Sequence, residues 1–147
     1  MGAHEMGRVL TEATIENLHD LWEVERGTLK PEAVRRIVIP NALVDTGASM
    51  LAMPSRLIQE LGLRSMYTRR VVDTTGEGTA RIFKVVRLTI QGRFASMDVM
   101  EVPDNVPVLI GQIPLEQLDS VVNPKSQTLT GNPDHGGEHV LEAFSIL

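Results

Sequence analysis

The chain has 147 residues, no cysteine and a formal net charge of −5, and 42% of its residues are hydrophobic. This length and composition fit one globular domain with a core, and they exclude disulfides and thiol catalysis. No apolar stretch reaches membrane-spanning length, and an acidic balance with only 3% aromatic residues argues against nucleic-acid binding. Since residues 1–20 contain no signal-peptide core, we expect a cytosolic protein with no membrane or nucleic-acid partner.

The N-terminal third contains mixed signals. We expect residues 1–13 to be an N-terminal extension, a candidate flexible segment in which Met6 is a second candidate start, and residues 14–147 to form the single domain. Residues 14–25 fit a strand or a helix, and a strand is favoured. Further along, the pattern indicates a loop over residues 27–32 and a strand over residues 33–39. A turn or a break at a sheet edge follows at residues 40–41, and then a short strand over residues 42–44.

The middle of the chain alternates strand and turn signals. Residues 54–61 predict a short helix, because Pro54 suits the first helical position and Gly62 suits the end. Strands are predicted over residues 67–73, 79–90 and 94–102, with turns at residues 74–78 and 91–93.

The last third begins with a predicted buried strand over residues 106–110 and a short helix over residues 114–118. A small hairpin follows over residues 121–130, then an irregular stretch over residues 131–138 and a final strand over residues 139–147. Many short strands at close spacing predict a mostly β protein, a closed or folded β-barrel with two short helices.

The most informative motif follows the apolar residues 42–44, where the chain reads Asp45-Thr46-Gly47-Ala48. Asp is a poor strand former and is rarely buried without partners, so the strand carries this carboxylate out of the core. Gly47 allows a tight turn and a close approach to a neighbouring backbone or ligand, and the Thr46 hydroxyl can form hydrogen bonds. The motif therefore indicates a carboxylate presented for catalysis.

This motif resembles the active-site loop of aspartic proteases. Late in the chain, Leu109-Ile110-Gly111 and the helix predicted over residues 114–118 match a second element of the retroviral-type members, the retropepsins. The resemblance covers about residues 33–118 and implies a closed retropepsin-like β-barrel, the acid protease fold. The implied activity is peptide-bond hydrolysis without a cofactor or metal.

Aspartic protease chemistry needs two carboxylates so close that they share one proton. The chain carries one such loop, because Asp73-Thr74-Thr75-Gly76 has one residue too many and Asp119-Ser120 is followed by valine rather than glycine. We therefore expect a homodimer in which the Asp45 of each subunit meets across a two-fold axis. Retropepsins are likewise homodimers of short chains.

The resemblance also implies roles for other residues. Thr46 would brace the paired loops, while Gly47 and Ala48 would supply backbone groups to the dyad and the substrate. The family's mobile flap maps to the hairpin tip at Thr75, Gly76, Glu77 and Gly78. Residues of the late strand would form the apolar substrate pocket, namely Pro107, Leu109 and Ile110.

These features predict an aspartic endopeptidase acting on a peptide or protein substrate. A rival hypothesis is a non-catalytic dimeric module of the same fold that binds peptides or directs assembly. A third is a zinc peptidase, since residues 135–139 read His-Gly-Gly-Glu-His, an inverted zinc-protease pattern. That pattern needs a helix, which Pro133 and the paired glycines disfavour, so no metal site is expected.

Overall fold

The computed structural model describes residues 8–144, which contain nine β-strands and three short α-helices. In chain order these elements are β1 Val9–Asn17, α1 Leu18–Glu25, β2 Arg36–Val44, β3 Leu51–Pro54, α2 Ser55–Glu60, β4 Arg64–Asp73, β5 Gly76–Ile90, β6 Arg93–Val102, β7 Leu109–Ile110, α3 Gln112–Gln117, β8 Ser120–Asn123 and β9 Thr128–Gly131. Short 3₁₀ turns lie at Pro31–Ala33 and Pro133–His135. The predicted mostly β fold is confirmed, but the expected number of helices is wrong because α1 adds a third.

Seven strands form one sheet in the order β1-β2-β7-β3-β6-β5-β4. The last four residues of β1 also pair with β5 in antiparallel fashion, so the strand pairings close into a ring. Strand β4 extends this ring at one side, and β8 and β9 form a separate hairpin. No helix within residues 8–144 is long and apolar enough to cross a membrane.

The hydrophobic core lies inside the ring of strands. Buried residues alternate with more exposed ones over residues 9–14 of β1 and residues 86–90 of β5, as the two-residue period of a β-strand requires, whereas all four residues of β3 are buried. The largest fully buried side chains come mainly from four strands and two helices, and they include Ile15, Leu51, Met53, Ile58, Leu88, Ile110 and Leu115. Because the core draws on segments far apart in sequence, it fixes the ends of β2 and β7, where the site described below is built.

The N-terminal segment differs from the prediction in two ways. Strand β1 begins at Val9, so residues 9–13 belong to the sheet and are not an extension; residues 1–7 lie outside the described residues. The favoured strand over residues 14–25 is wrong beyond Asn17, whose side chain accepts a hydrogen bond (3.1 Å) from the Asp20 amide and begins α1. Asparagine is a strong N-cap residue, and it switches the backbone from strand to helix.

Strand β2 runs without a turn through Pro40 and Asn41. The register between β1 and β2 shifts here, so that Glu12 alone faces both of these residues in a β-bulge. Proline is tolerated because β7 pairs with β2 only at Leu43 and Val44, leaving the other edge of β2 open at Pro40. The short strand β3 was not predicted, and Pro54 caps α2 instead of beginning it.

The C-terminal part also departs from expectation. Helix α3 begins at Gln112, two residues earlier than predicted, and β7 has only two residues. The predicted final strand is wrong for residues 139–144, which form no strand, while residues 145–147 lie outside the described part. The amide of Val140 donates to the Asp119 carboxylate (3.0 Å), so a side chain replaces the partner strand.

Candidate active site

Asp45 directly follows β2, at the end of the strand that borders β7. Its amide donates to the Ile110 carbonyl (2.9 Å), which extends the β2–β7 pairing by one residue. Strand β7 lies between β2, which it pairs in parallel, and β3, which it pairs in antiparallel fashion. The Asp45 loop, residues 45–50, therefore crosses the C-terminal end of β7 to connect its two neighbours.

Hydrogen bonds inside the Asp45 loop hold the carboxylate in place. The Gly47 amide donates to Asp45 Oδ1 (3.0 Å), and the Ala48 amide donates to the Asp45 carbonyl (3.0 Å). The Asp45 side chain is half-buried, while Thr46 and Gly47 are exposed. One carboxylate oxygen is thus oriented by a backbone N–H, and the group still reaches the surface where a second carboxylate or a substrate can approach.

The segment after β7 holds the Asp45 loop in place through backbone hydrogen bonds. The amides of Gly111, Gln112 and Ile113 donate to the carbonyls of Met50 (3.1 Å), Ala48 (2.8 Å) and Ser49 (3.0 Å), respectively. A Cβ on Gly111 would lie 2.5 Å from the Met50 carbonyl oxygen and 2.7 Å from both the Met50 nitrogen and the Ser49 carbonyl carbon. Only glycine fits here, because these neighbours are backbone atoms of the loop.

The structure thus brings together the two motifs that the sequence analysis singled out, residues 45–48 and 109–111. A family model described as aspartyl protease matches residues 36–132. The chain belongs to the aspartyl protease family. The matched residues run from the start of β2 through the Asp45 loop, the β4–β5 hairpin and Gly111 to the end of β9. A comparison with curated proteins gave no match.

In this member of the family the residues predicted as a flap lie at the tip of the β4–β5 hairpin. The turn is shorter than predicted, since Asp73 pairs with Gly76 and only Thr74 and Thr75 lie between the strands. Asp73 Oδ1 accepts hydrogen bonds from the amide (2.8 Å) and the hydroxyl (2.6 Å) of Thr75, and these bonds lower the pKa of Asp73. Gly76 has a φ of 124°, a conformation that favours glycine, and the tip from Asp73 to Gly78 is exposed.

The three residues predicted as pocket walls do not share one environment. Pro107 is exposed and Leu109 is half-buried, so both reach the surface. Ile110 is fully buried in the core and is excluded as a pocket wall. The reason is strand alternation, which turns Val108 and Ile110 inward and Leu109 outward.

Two surface cavities of the single chain lie away from Asp45. One, of about 540 Å³, lies between β1 and the β5–β6 turn, and the other, of about 310 Å³, lies between α3, β8 and residues 140–142. Asp45 lines neither cavity.

The zinc-protease pattern at residues 135–139 is not on an α-helix. His135 ends a 3₁₀ turn, and its ring nitrogens contact Asp119 Oδ2 (2.6 Å) and Glu142 Oε1 (2.8 Å). His139 Nε2 contacts the Gln117 carbonyl (2.8 Å). Within residues 8–144 no group of three or more suitable side chains is arranged to hold a metal ion. These histidines instead attach the C-terminal segment to the domain.

We call the cluster of Arg93, Asp119, His135 and Glu142 the C-terminal latch, which no motif in the sequence indicates. Arg93 donates to the Asp119 carbonyl (2.6 Å) and to the carbonyl of Gly137 (3.1 Å). Burial alone would raise the pKa of Asp119, but hydrogen bonds, above all from His135, lower it to about 2. Hydrogen bonds to Asp119 and Glu142 raise the pKa of His135. The latch is therefore an ion pair that holds the chain after β9.

The latch predicts a pH-dependent stability. The stability that protonated His135 contributes is complete below the ordinary histidine pKa of 6.5. It is lost as the pH rises through the raised pKa of His135 in the folded protein. The Asp119 contribution is complete above 3.8 and is lost as the pH falls towards about 2. We expect His135→Gln to lower Tm by a few degrees between about pH 4 and pH 6 and to have little effect at high pH. Thermal unfolding from pH 3 to pH 9 measures this difference.

The matched control is His19→Gln, which removes an exposed histidine that lies 3.9 Å from Glu23. We expect this variant to follow the wild-type Tm at every pH, because an exposed ion pair contributes little stability. A Tm difference for His135→Gln that stays constant across the whole pH range would contradict the latch.

Proposed function

We propose that the protein is an aspartic endopeptidase whose catalytic dyad is formed by the Asp45 of two identical subunits. The observation that carries the proposal is the Asp45 carboxylate itself. It is half-buried, oriented by the Gly47 amide and placed at the end of β2 in a loop that Gly111 fastens. Membership of the aspartyl protease family supports the same chemistry.

The reaction needs two aspartates in different protonation states. The ionised Asp45 accepts a proton from a water molecule, and the water oxygen bonds to the peptide carbonyl carbon. The protonated Asp45 donates its proton to the carbonyl oxygen, which gives a neutral tetrahedral diol. The C–N bond then breaks as a proton passes to the leaving nitrogen, and an acid and an amine are released. No cofactor takes part.

A single chain supplies one of these carboxylates, so we propose a retropepsin-like homodimer with a two-fold axis beside Asp45. Thr46, exposed next to Asp45, would brace the two loops, and the exposed Gly47 and half-buried Ala48 would offer backbone groups. The β4–β5 hairpin would act as the flap, with Pro107 and Leu109 as apolar walls. The closed ring of strand pairings fits the retropepsin-like barrel of this proposal.

The second candidate is a dimeric module of the same fold that binds peptides or directs assembly without cleavage. We rank it lower because a binding module has no need for an oriented carboxylate in this loop. The cytosolic location stays a prediction.

Mixing subunits tests the dyad directly. Wild-type protein is incubated with a threefold excess of Asp45→Asn protein until the subunits have exchanged, and peptide cleavage is then measured. If activity needs both Asp45 residues, random pairing leaves about a quarter of the activity per wild-type chain. The same mixture assayed before exchange is the control and should keep full activity. Unchanged activity after complete exchange, with dimers verified by light scattering, would contradict the shared dyad.

A further inference from the structure

The β4–β5 hairpin carries an unusual concentration of positive charge. Residues 64–84 contain five of the 14 basic residues but only two of the 19 acidic residues. This segment therefore has a formal charge of +3 within a chain of −5. The hairpin is the part of the chain that electrostatically favours an acidic partner.

The basic residues of the hairpin are divided between its two faces. On one face, Arg70 forms an ion pair with Glu77 (2.6 Å), and Arg81 forms a bidentate ion pair with Glu101 (2.8 and 2.9 Å). The other basic residues of the hairpin are Arg64, Arg69 and Lys84. The strand register places them on the opposite face, together with Tyr67. We call this second group of four the basic face.

The cations of the basic face have no acidic partner in the described part of the chain. No carboxylate within residues 8–144 lies within 4.0 Å of Arg64, Arg69 or Lys84, although Asp98 on β6 faces the bulge at Lys84. Arg64 and Lys84 are direct cross-strand partners, an arrangement that is unfavourable for like charges. A bound carboxylate would relieve this repulsion.

The Arg69 side chain is held in a position from which it can bind a carboxylate. Its guanidinium lies 4.7 Å from the centre of the Tyr67 ring, and Tyr67 is half-buried. The aromatic face restricts the arginine without neutralising it, so the charge stays available. An arginine fixed in this way loses less side-chain entropy when it pairs with a carboxylate.

Strand β4 also offers backbone groups beside these charges. It is the last strand of the sheet order, it pairs only with β5 among the described residues, and eight of its ten residues are exposed. An edge of this length can accept an extended peptide as an added strand. Alternate side chains of that peptide would follow each other at about 7 Å on the same side as the basic face.

We propose that the free edge of β4 and the basic face together bind an acidic, extended peptide segment. The peptide backbone pairs with β4, and its carboxylates contact Arg64, Arg69 and Lys84. Calling this peptide the substrate rests on the proposed protease function; the binding itself does not. A peptide is favoured over a nucleic acid because the edge offers strand pairing and because the rest of the chain, with a net charge of −8, repels a long polyanion.

The test measures binding separately from cleavage. Fluorescence anisotropy follows a labelled ten-residue peptide of alternating Glu and Thr at low salt, with the full chain carrying Asp45→Asn so that nothing is cut. We expect the Glu peptide to bind about tenfold more tightly than the same peptide with Gln in place of Glu. Adding Arg64→Gln and Arg69→Gln should remove this preference. Adding Arg70→Gln and Arg81→Gln should keep it, although the same two charges are lost from the same hairpin.

Three results would overturn the proposal: equal binding of the Glu and Gln peptides, equal weakening by both double variants, or tighter binding of a single-stranded oligonucleotide of equal charge. Circular dichroism verifies that each variant is folded. Wild-type protein that binds the Glu peptide and cleaves nothing would overturn the protease function alone. Wild-type protein that cleaves peptides without regard to acidic residues, and shows no Glu preference in binding, would overturn the basic face alone.

Discussion

Asp45→Asn is expected to abolish peptide cleavage, with kcat lowered by at least about 10³-fold, while the fold and the dimer persist. The loss follows because asparagine cannot accept or donate the proton that the proposed dyad moves. The fold should persist because the new side chain keeps an oxygen that can accept the Gly47 amide hydrogen bond. The bond from the residue 45 amide to the Ile110 carbonyl is also unaffected, since it involves backbone atoms alone.

Mass spectrometry of a diverse peptide library, incubated with wild type and variant from acidic to neutral pH, measures this effect. The matched control is Asp134→Asn, since Asp134 is exposed and precedes His135 far along the chain from the loop. This control should cleave like wild type. Wild-type rates for Asp45→Asn would place the chemistry elsewhere. Cleavage by neither protein would favour the non-catalytic module and make the oligomeric state decisive.

The centre of the candidate site was predictable from the sequence because its requirements are local. A carboxylate that leaves a strand, a glycine that permits a tight turn and a second glycine after two apolar residues each have a short-range signature. The structure adds what spacing alone does not provide, namely that a Cβ on residue 111 would collide with the backbone of Ser49 and Met50. Ile110 was assigned to the pocket together with Pro107 and Leu109, although alternation along the strand turns its side chain into the core.

Several of the fold errors have a different physical origin, since they depend on a distant partner; the helix after Asn17 does not, because its N-cap bond from the Asp20 amide is local. The first residues of β1 fit a terminal extension until β2 supplies the antiparallel strand that pairs with them. The expected last strand is lost because Asp119, 21 residues away, accepts the Val140 amide. His135 resembled a zinc ligand because the carboxylates that engage its ring, Asp119 and Glu142, lie outside the motif. Periodicity and motif spacing contain no information about such contacts.

Gly111→Ala is expected to destabilise the protein by about 3 kcal/mol or more and to remove activity at temperatures where the variant is still folded. The added methyl group would meet the Met50 carbonyl oxygen at 2.5 Å, and backbone atoms cannot rotate away as a side chain would. The backbone of Gly111 has a φ of −83°, which alanine adopts freely, so the expected cost is steric and not conformational. Chemical unfolding measures the loss of stability, and the peptide assay measures the loss of activity.

Gly78→Ala is the matched control, because its added methyl group would lie 4.0 Å from Val71, at ordinary contact distance. It should retain wild-type stability within about 0.5 kcal/mol. Wild-type stability for Gly111→Ala would show that the Asp45 loop can move away from β7, and the fastening that supports Asp45 would then be wrong. A Gly111→Ala variant that is folded but inactive would show that the contact between residue 111 and the Asp45 loop contributes to activity separately from its contribution to stability. The core would tolerate the shift, whereas the proposed pair of carboxylates, which shares one proton across a two-fold axis, would not, because a displacement of one loop is repeated in the other.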